Sequence, residues 1–214
     1  MDSSDDPTAG LIDRLRCERL VAVIRRETED QALRAAMVLI EHGVRIVEIT
    51  FTTPGAAAVI GRLRRDHDRE ILVGAGTVTD GEQLRAAHAA GANFAVSPGW
   101  SYDVVRAAAD IGMPYVPGVL TPTEMQQAVT SRVRLTKLFP ADLVGPGYLR
   151  GVAAVFPGLE LMPTGGIDAS NAAAWISAGA IAVGIGGGLG AASSTGEDSA
   201  DLRRRVSALQ AVIR

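Results

Sequence analysis

The chain has 214 residues, of which 47% are hydrophobic and 21% are charged. These proportions are typical of one globular domain with a large apolar core, and they exclude an intrinsically disordered chain. The net charge is −3 and the basic residues form no long run, so the charge pattern excludes the basic footprint that nucleic acid requires.

Cysteine and histidine are rare. Cys17 is the only cysteine, which excludes an internal disulfide and a zinc site of clustered thiolates and indicates a reducing, cytoplasmic location. The three histidines share no spacing with carboxylates, so no metal site is expected. No apolar run reaches the roughly 18 residues that span a bilayer, so no membrane partner is expected. Residues 1–10 are polar and acidic and are interpreted as a flexible tail before one domain over residues 11–214.

After this tail, a short helix is predicted over residues 11–19, followed by alternating strands and helices. Eight β-branched apolar runs, each starting 20 to 26 residues after the last, begin at Leu20, Ile46, Ile71, Phe94, Tyr115, Leu135, Leu159 and Ala180. Amphipathic stretches of helical period follow them at residues 28–42, 54–65, 80–90, 101–111, 121–131, 148–155, 170–178 and 200–213.

This alternation predicts an α/β fold whose parallel strands are buried on both faces. Eight such units in a chain near the lower limit of about 200 residues indicate a single-domain (β/α)8 barrel with a short N-terminal helix. The alternative, a doubly wound open sheet, would carry the GxGxxG sequence after its first strand. That sequence is absent here.

Two charged residues interrupt the apolar strands. Glu48 lies in phase with Ile46 in the second strand, and Lys137 lies in phase with Leu135 in the sixth. These two strands are opposite in an eight-stranded barrel, so both side chains are predicted to face each other inside it. Further polar residues come at the carboxyl ends of strands, where barrel enzymes place their chemistry: Arg25, Thr77 and Thr164.

Lys137 is the only lysine among 21 basic residues, and the other twenty are arginine. Removal of a lysine from water disfavours its charged form, and a neutral amine attacks carbonyl carbon to form a Schiff base. Glu48 would then carry the protons that dehydration and enamine formation require. The alternative is that Glu48 and Lys137 form a buried structural ion pair.

Glycine-rich turns follow the last two predicted strands, at Thr164-Gly165-Gly166 and at residues 184–188. Barrel enzymes commonly bind phosphate at this position through backbone N–H groups. The alternative is that these glycines only allow tight turns. For Gly74 and Gly76, in the third strand, the sequence leaves phosphate binding and close packing of a helix on the strand as alternatives.

Seven stretches resemble, in their order and spacing, the 2-keto-3-deoxy-6-phosphogluconate aldolases, also called 4-hydroxy-2-oxoglutarate aldolases. They are VAVIR (21–25), GVRIVEITFTTP (43–54), VGAGTV (73–78), FAVSPG (94–99), PGVLTPTE (117–124), TKLFPA (136–141) and PTGGI (163–167). The resemblance covers nearly all of residues 11–214. It implies a homotrimeric class I aldolase without metal or cofactor, which cleaves a 2-keto-3-deoxy sugar acid phosphate to pyruvate and glyceraldehyde 3-phosphate.

The resemblance also implies the site. Lys137 would form the Schiff base, Glu48 would be the general acid and base, and Thr77 would contact the pyruvyl group. Pro98 and Phe139 would line the pyruvyl pocket, and Thr164 would lie near the substrate hydroxyls. Gly165 and Gly166 would bind phosphate.

The chain departs from the family pattern at two places. Thr52 stands where some members have an arginine that holds the pyruvate carboxylate, and we expect Arg25 to replace it. Gly186 and Gly187 stand where some members have a serine that touches phosphate. Phosphate binding would then depend on backbone N–H groups, and an unphosphorylated substrate stays open.

Two other functions remain open from sequence. One is a sugar-phosphate isomerase or epimerase in which Glu48 is the base and Lys137 acts only through its charge. The other is a catalytically silent barrel that binds a phosphorylated metabolite. The sequence also leaves the choice between gluconate and galactonate epimers open.

Overall fold

The computed structural model describes residues 7–67, 70–190 and 199–213. Residues 1–6 of the predicted tail lie outside this range. The first helix, α1 (Ala9–Glu18), begins two residues before its predicted start. The strands that follow are β1 (Leu20–Ile24), β2 (Ile46–Thr50), β3 (Leu72–Gly76), β4 (Phe94–Val96), β5 (Tyr115–Val116), β6 (Gly118–Val119), β7 (Leu135–Leu138), β8 (Glu160–Pro163) and β9 (Val183–Ile185).

Helices follow the strands in the predicted alternation. They are α2 (Glu29–Glu41), α3 (Ala56–Asp66), α4 (Gly81–Ala89), α5 (Tyr102–Asp110), α6 (Pro122–Thr130), α7 (Gly145–Val155), α8 (Ala172–Ser177), α9 (Gly187–Gly190) and α10 (Ser199–Ile213), with a 3-10 turn at Ala141–Leu143. The sequence analysis did not predict α9 or the 3-10 turn.

Side-chain caps explain why several helices begin where the sequence predicts. Thr28, Asp80, Ser101 and Thr121 each accept a hydrogen bond from the backbone N–H three residues later. Each cap satisfies one N–H that the first helical turn leaves without a partner. At α6 the cap is reciprocal, because the Glu124 side chain also accepts from the Thr121 backbone.

All strand pairings are parallel, as predicted. Six strands form a curled sheet in the order β5-β4-β3-β2-β1-β9, and β6, β7 and β8 form a second sheet. The fifth predicted strand is divided into β5 and β6 at Pro117, whose ring nitrogen has no hydrogen to donate. The prediction of eight uninterrupted strands is therefore wrong at this position, while the α/β class with a parallel sheet is confirmed.

The two sheets meet at two places, which we call the seams. At the first seam, Thr164 forms an isolated parallel bridge with Gly184. At the second, the Gly118 N–H donates to the Gly99 carbonyl at 3.2 Å. One partner at each seam, Thr164 after β8 and Gly99 after β4, lies beyond the carboxyl end of its strand, so both seams border the site described below.

The apolar core has two parts. The larger cluster packs the outer faces of the strands against the helices. The smaller cluster includes one helix, α1, and the inner strand faces, and consists of Leu11, Ile12, Leu15, Val21, Ile46, Phe94, Val96, Val116, Leu135, Met162 and Ala182. Because Ile46 and Leu135 belong to this inner cluster, the residues in phase with them also point inward. Within the described ranges, no helix has the length and apolar character to cross a membrane.

Candidate active site

The inward phase brings Glu48 and Lys137 together. Lys137 Nζ lies 3.5 Å from Glu48 Oε1, and their side chains are 7% and 0% exposed. Neither carboxylate oxygen of Glu48 has a hydrogen-bond partner among the described residues. The predicted proximity of the two residues is confirmed, and their chemical roles stay predictions.

Two glycines make room for this pair. A Cβ on Gly76 would lie 2.1 Å from Glu48 Oε1, so only glycine at this position of β3 leaves space for the carboxylate. A Cβ on Gly74 would lie 2.3 Å from the ring of Phe94, which belongs to the inner cluster. Close helix packing, one of the alternatives that the sequence left open for these glycines, is therefore not their role, because both face the inside of the curled sheet.

A cavity of about 620 Å³ opens beside the pair. Phe139 links the two, since its ring centroid lies 5.3 Å from Lys137 Nζ and the ring also lines the cavity. The cavity gathers the five residues predicted for the far end of the substrate, which are Thr164, Gly165, Gly166, Gly186 and Gly187, and Arg25 lines it with them. Thus the glycine turns after β8 and β9, which are far apart in sequence, share one wall.

Thr164 is buried in this wall at the first seam. Its hydroxyl has no hydrogen-bond partner among the described residues, and a Cβ on Gly184 would lie 2.2 Å from it. Gly184 is therefore required for the Thr164 side chain to occupy this position. A buried hydroxyl without a partner is costly unless a ligand or water satisfies it.

The cavity also contains charges that the sequence analysis did not single out. Arg26 lines it next to Arg25, and Asp168 lies at its edge. The pKa of Asp168 is lowered, first by a hydrogen bond from the Ser170 hydroxyl and then by one from the Ser170 backbone N–H. These bonds hold the carboxylate in the loop before α8.

Besides Glu48 and Lys137 themselves, three predicted site residues do not line this cavity: Thr52, Thr77 and Pro98. Pro98 packs against Gly118, the residue of β6 that pairs with Lys137. A Cβ on Gly118 would lie 2.3 Å from the Pro98 backbone. Thr77 directly follows Gly76, the residue packed against the Glu48 carboxylate.

Arg25 lines the cavity, and its role in binding stays a prediction. The sequence analysis expects it to hold the pyruvate carboxylate, and in the structure it shares the cavity both with Phe139, predicted for the pyruvyl pocket, and with the glycine turns. Thr52 is an exposed residue, and its hydroxyl lies 3.0 Å from the hydroxyl of Thr50, a buried residue of β2.

The sequence analysis also missed a buried polar pair behind the site. Tyr115 donates a hydrogen bond to the Ser97 hydroxyl at 2.6 Å, and Ser97 donates to the Val78 carbonyl. The alternation of Ser97 with apolar neighbours in FAVSP was the available signal. Among the described residues, no three histidine, cysteine or acidic side chains come close enough to hold a metal ion.

A buried amine beside a carboxylate, at the strand ends of a parallel α/β fold and next to a cavity lined by arginine and glycine, defines a site for carbonyl chemistry on an anionic substrate. Known proteins resemble this chain in sequence and in fold. The family model described as KDPG and KHG aldolase matches residues 11–205.

Individual relatives agree. The 2-dehydro-3-deoxy-phosphogluconate aldolase of Treponema pallidum (strain Nichols) is 35% identical over 168 residues, covering 78% of this chain and 80% of that protein. The 2-keto-3-deoxy-6-phosphogluconate aldolase of Zymomonas mobilis ZM4, solved with 3-phosphoglycerate, is 28% identical with a TM-score of 0.84 and covers 95% of this chain and 96% of that one.

A third relative carries a reaction intermediate. The KDPG aldolase from Legionella pneumophila, with pyruvate captured as a covalent carbinolamine, is 28% identical with a TM-score of 0.77 and covers 93% of this chain and 94% of that one. The chain belongs to the KDPG and KHG aldolase family, a family of carbon–carbon lyases. The resemblance seen in the motifs is therefore confirmed.

Proposed function

We propose that this chain is a class I aldolase that cleaves 2-keto-3-deoxy-6-phosphogluconate, or a close 2-keto-4-hydroxy acid, to pyruvate and an aldehyde. The observation that carries the proposal is the buried pair of Lys137 and Glu48, separated by 3.5 Å. Both oxygens of Glu48 lack hydrogen-bond partners among the described residues. A purely structural ion pair is stabilising only when such groups are satisfied.

The reaction begins with a proton transfer within the pair. When the Lys137 ammonium group gives a proton to Glu48, it becomes a neutral amine that attacks the keto carbon of the substrate. The resulting carbinolamine loses water, with Glu48 returning a proton to the departing hydroxyl group. The product is a protonated Schiff base between Nζ and the keto carbon.

The Schiff base then accepts the electrons of the broken bond. A base removes the proton of the C4 hydroxyl, the C3–C4 bond breaks, and its electron pair moves toward the imine to form an enamine. The aldehyde leaves, the enamine is protonated at C3, and water releases pyruvate and regenerates the amine. Glu48 is the carboxylate positioned for these proton transfers.

The remaining residues divide between the two ends of the substrate. Thr77 and Thr52 would contact the pyruvyl carboxylate, while Pro98 and Phe139 line that pocket. Thr164, with its unpartnered hydroxyl, would receive a substrate hydroxyl.

The far end would take the phosphate group. The backbone N–H groups of the two glycine turns, together with Arg25, supply the charge and donors for an anion. The 3-phosphoglycerate in the Zymomonas mobilis relative supports a phosphorylated substrate.

Borohydride reduction tests the mechanism. Wild-type protein treated with pyruvate and sodium borohydride should gain one reduced pyruvyl adduct on Lys137, detected by intact-mass and peptide mass spectrometry. Lys137→Met should form no adduct and have no turnover while keeping its fold by circular dichroism. Lys137→Arg is the matched control, because it retains a cation near Glu48 without a nucleophilic amine. An unmodified lysine in the wild type would overturn the proposal and favour an isomerase or a binding protein.

A substrate panel tests the finer assignment. Cleavage rates for the gluconate and galactonate epimers of the phosphorylated acid, their unphosphorylated counterparts and 4-hydroxy-2-oxoglutarate are measured by coupled detection of pyruvate. We expect the phosphorylated six-carbon acids to react with the highest kcat/KM, because the cavity beyond Phe139 is lined by anion-binding groups.

We also propose how the chain is organised. The two sheets form one closed (β/α)8 barrel in a single domain over residues 11–214, supported by the Thr164–Gly184 bridge and the Gly118–Gly99 hydrogen bond at the seams. Family membership supports a homotrimer. The exposed free thiol of Cys17 supports a reducing, cytoplasmic location.

A further inference from the structure

Thr77 has an unusual backbone conformation. Its φ is 55°, in the left-handed region that β-branched residues rarely adopt. Among the described residues, the other non-glycine residues with positive φ are Arg19 and Arg132, which follow the ends of helices. Thr77 instead follows a strand and is β-branched. Such a conformation persists only where the surrounding structure holds it.

Backbone hydrogen bonds hold both neighbours of Thr77. On one side, the Gly76 carbonyl accepts from the Phe51 N–H at 2.7 Å, just beyond β2. On the other side, the Val78 N–H donates to the Val96 carbonyl of β4 at 3.0 Å. Thr77 therefore lies between two backbone hydrogen bonds, one made to the end of β2 and the other to β4.

One side chain completes this restraint. The Ser97 hydroxyl donates to the Val78 carbonyl, so both backbone polar groups of Val78 are bound to the end of β4. Tyr115 in turn donates to the Ser97 oxygen at 2.6 Å. Ser97 is 2% exposed and Tyr115 is 6% exposed. Burial raises the pKa of Tyr115 to about 12 against the opposing effect of its hydrogen bond to Ser97, so its hydroxyl remains a donor at neutral pH.

We propose that Ser97 and Tyr115 are positioning residues that hold Thr77 in its left-handed conformation and so aim its hydroxyl at the keto acid on Lys137. The inference rests on the proposed function, in which Thr77 contacts the pyruvyl carboxylate. The hydroxyls of Ser97 and Tyr115 are engaged with each other and with the Val78 carbonyl, so in this proposal they act on the substrate through Thr77 and do not touch it themselves.

The test is the pyruvate dependence of borohydride trapping. Ser97→Ala leaves the buried Val78 carbonyl without its hydroxyl donor, and we expect the pyruvate concentration for half-maximal trapping to rise about tenfold. The trapping rate at saturating pyruvate should change less than twofold. Tyr115→Phe should shift half-saturation in the same direction by a smaller factor. Thr136→Val is the matched control, since it removes a buried hydroxyl from β7 that has no hydrogen-bond partner among the described residues, and it should leave both values unchanged.

A double-mutant comparison separates positioning from general loosening of the fold. In a Thr77→Val background, the additional Ser97→Ala substitution should no longer shift half-saturation, because its effect passes through the missing hydroxyl. A tenfold shift that persists in that background would overturn the inference, as would normal half-saturation in both Ser97→Ala and Tyr115→Phe.

Separate measurements report on folding, on the proposed function and on the positioning role. Melting curves confirm that each variant is folded, and Tyr115→Phe decides the question if Ser97→Ala does not fold. Wild-type protein that forms no adduct at any pyruvate concentration would overturn the proposed function and this inference together. Normal adduct formation with unshifted variants would overturn the positioning role alone.

Discussion

Glu48 and Lys137 form a buried pair that lacks the further hydrogen bonds by which such a pair stabilises a fold. Removing two charges from water costs several kcal/mol per ion, and the cost is offset only by close contact and further hydrogen bonds. Here the contact is 3.5 Å, and the carboxylate has no hydrogen bond from the described residues. The free lone pairs of Glu48 are available to a substrate proton.

The role of Glu48 can be tested with an isosteric change. Glu48→Gln keeps the volume of the side chain but removes the group that carries protons. We expect the exchange of pyruvate methyl protons with D2O to fall by roughly 10²–10⁴-fold, measured by proton NMR. Glu82→Gln, at an exposed position on α4, is the control and should exchange at the wild-type rate. Undiminished exchange in Glu48→Gln would rule out this residue as the acid and base.

Arg25 lies in the cavity wall with the glycine turns, so we expect it to bind the phosphate end of the substrate. In Arg25→Ala the KM for glyceraldehyde 3-phosphate in the aldol direction should rise by about tenfold or more, because a charge-assisted hydrogen bond is lost. The KM for unphosphorylated glyceraldehyde and for pyruvate should change little. Arg106→Ala, on the surface of α5, is the control. A rise confined to the KM for pyruvate would instead place Arg25 at the carboxylate.

At the scale of elements, β3 is shaped by the residue it faces. Gly76→Ala would place a methyl group 2.1 Å from the Glu48 carboxylate, so we expect a loss of about 1–3 kcal/mol of unfolding free energy and a large loss of activity. Gly151→Ala in α7 is the matched control, since nothing lies within 4 Å of the new methyl group and the site has no positive φ. It should stabilise the protein by about 0.4–1 kcal/mol. Urea denaturation measures both effects, and equal changes would contradict the steric explanation.

The start of α6 should respond to pH. Burial raises the pKa of Glu124, but hydrogen bonds from the Leu120 and Thr121 backbone and from the Thr121 hydroxyl outweigh it, so the pKa is lowered overall. A lowered folded-state pKa stabilises the protein above the ordinary glutamate pKa of 4.5, and this contribution is lost as pH falls through the folded value.

The corresponding variant is Glu124→Gln. We expect its melting temperature to fall less steeply than that of the wild type between pH 6 and pH 3, measured by circular dichroism. Glu82→Gln should retain the wild-type slope. Parallel curves for Glu124→Gln and wild type would show that the capping box contributes nothing through ionisation.

Sequence patterns predicted what depends on local periodicity. Strand phase placed Glu48 opposite Lys137, and the start of α6 was predicted at Thr121, where the structure has its cap. The conformation of Thr77 was not predictable, because it arises from hydrogen bonds to residues of two neighbouring strands. The requirement for glycine at position 76 was also not predictable, because it arises from the Glu48 carboxylate, which packs against this residue in the folded structure.

At the scale of the whole molecule, both seams border the site. The contacts between the two sheets at Thr164–Gly184 and at Gly118–Gly99 couple the shape of the cavity to the integrity of the sheets. A site that lies at the seams depends on both sheets, because neither sheet alone contains both Glu48 and Lys137.

The proposed homotrimer is a prediction at this scale. Size-exclusion chromatography with light scattering on the purified protein should give three times the mass of one chain, at micromolar concentration and across moderate salt. A mass of one chain under these conditions would contradict the trimer. It would leave the aldolase proposal intact, because the pair of Glu48 and Lys137 lies within one chain.

The scarcity of lysine has a practical consequence for labelling. Acylating reagents that require a primary amine find one side-chain target in these 214 residues, and that target is 7% exposed. Protection of this amine by a bound keto acid would therefore be visible in the mass of the intact protein. By the same reasoning, enzymatic acetylation of a lysine side chain in this protein can occur only at Lys137, and under the proposed mechanism it would remove the nucleophile.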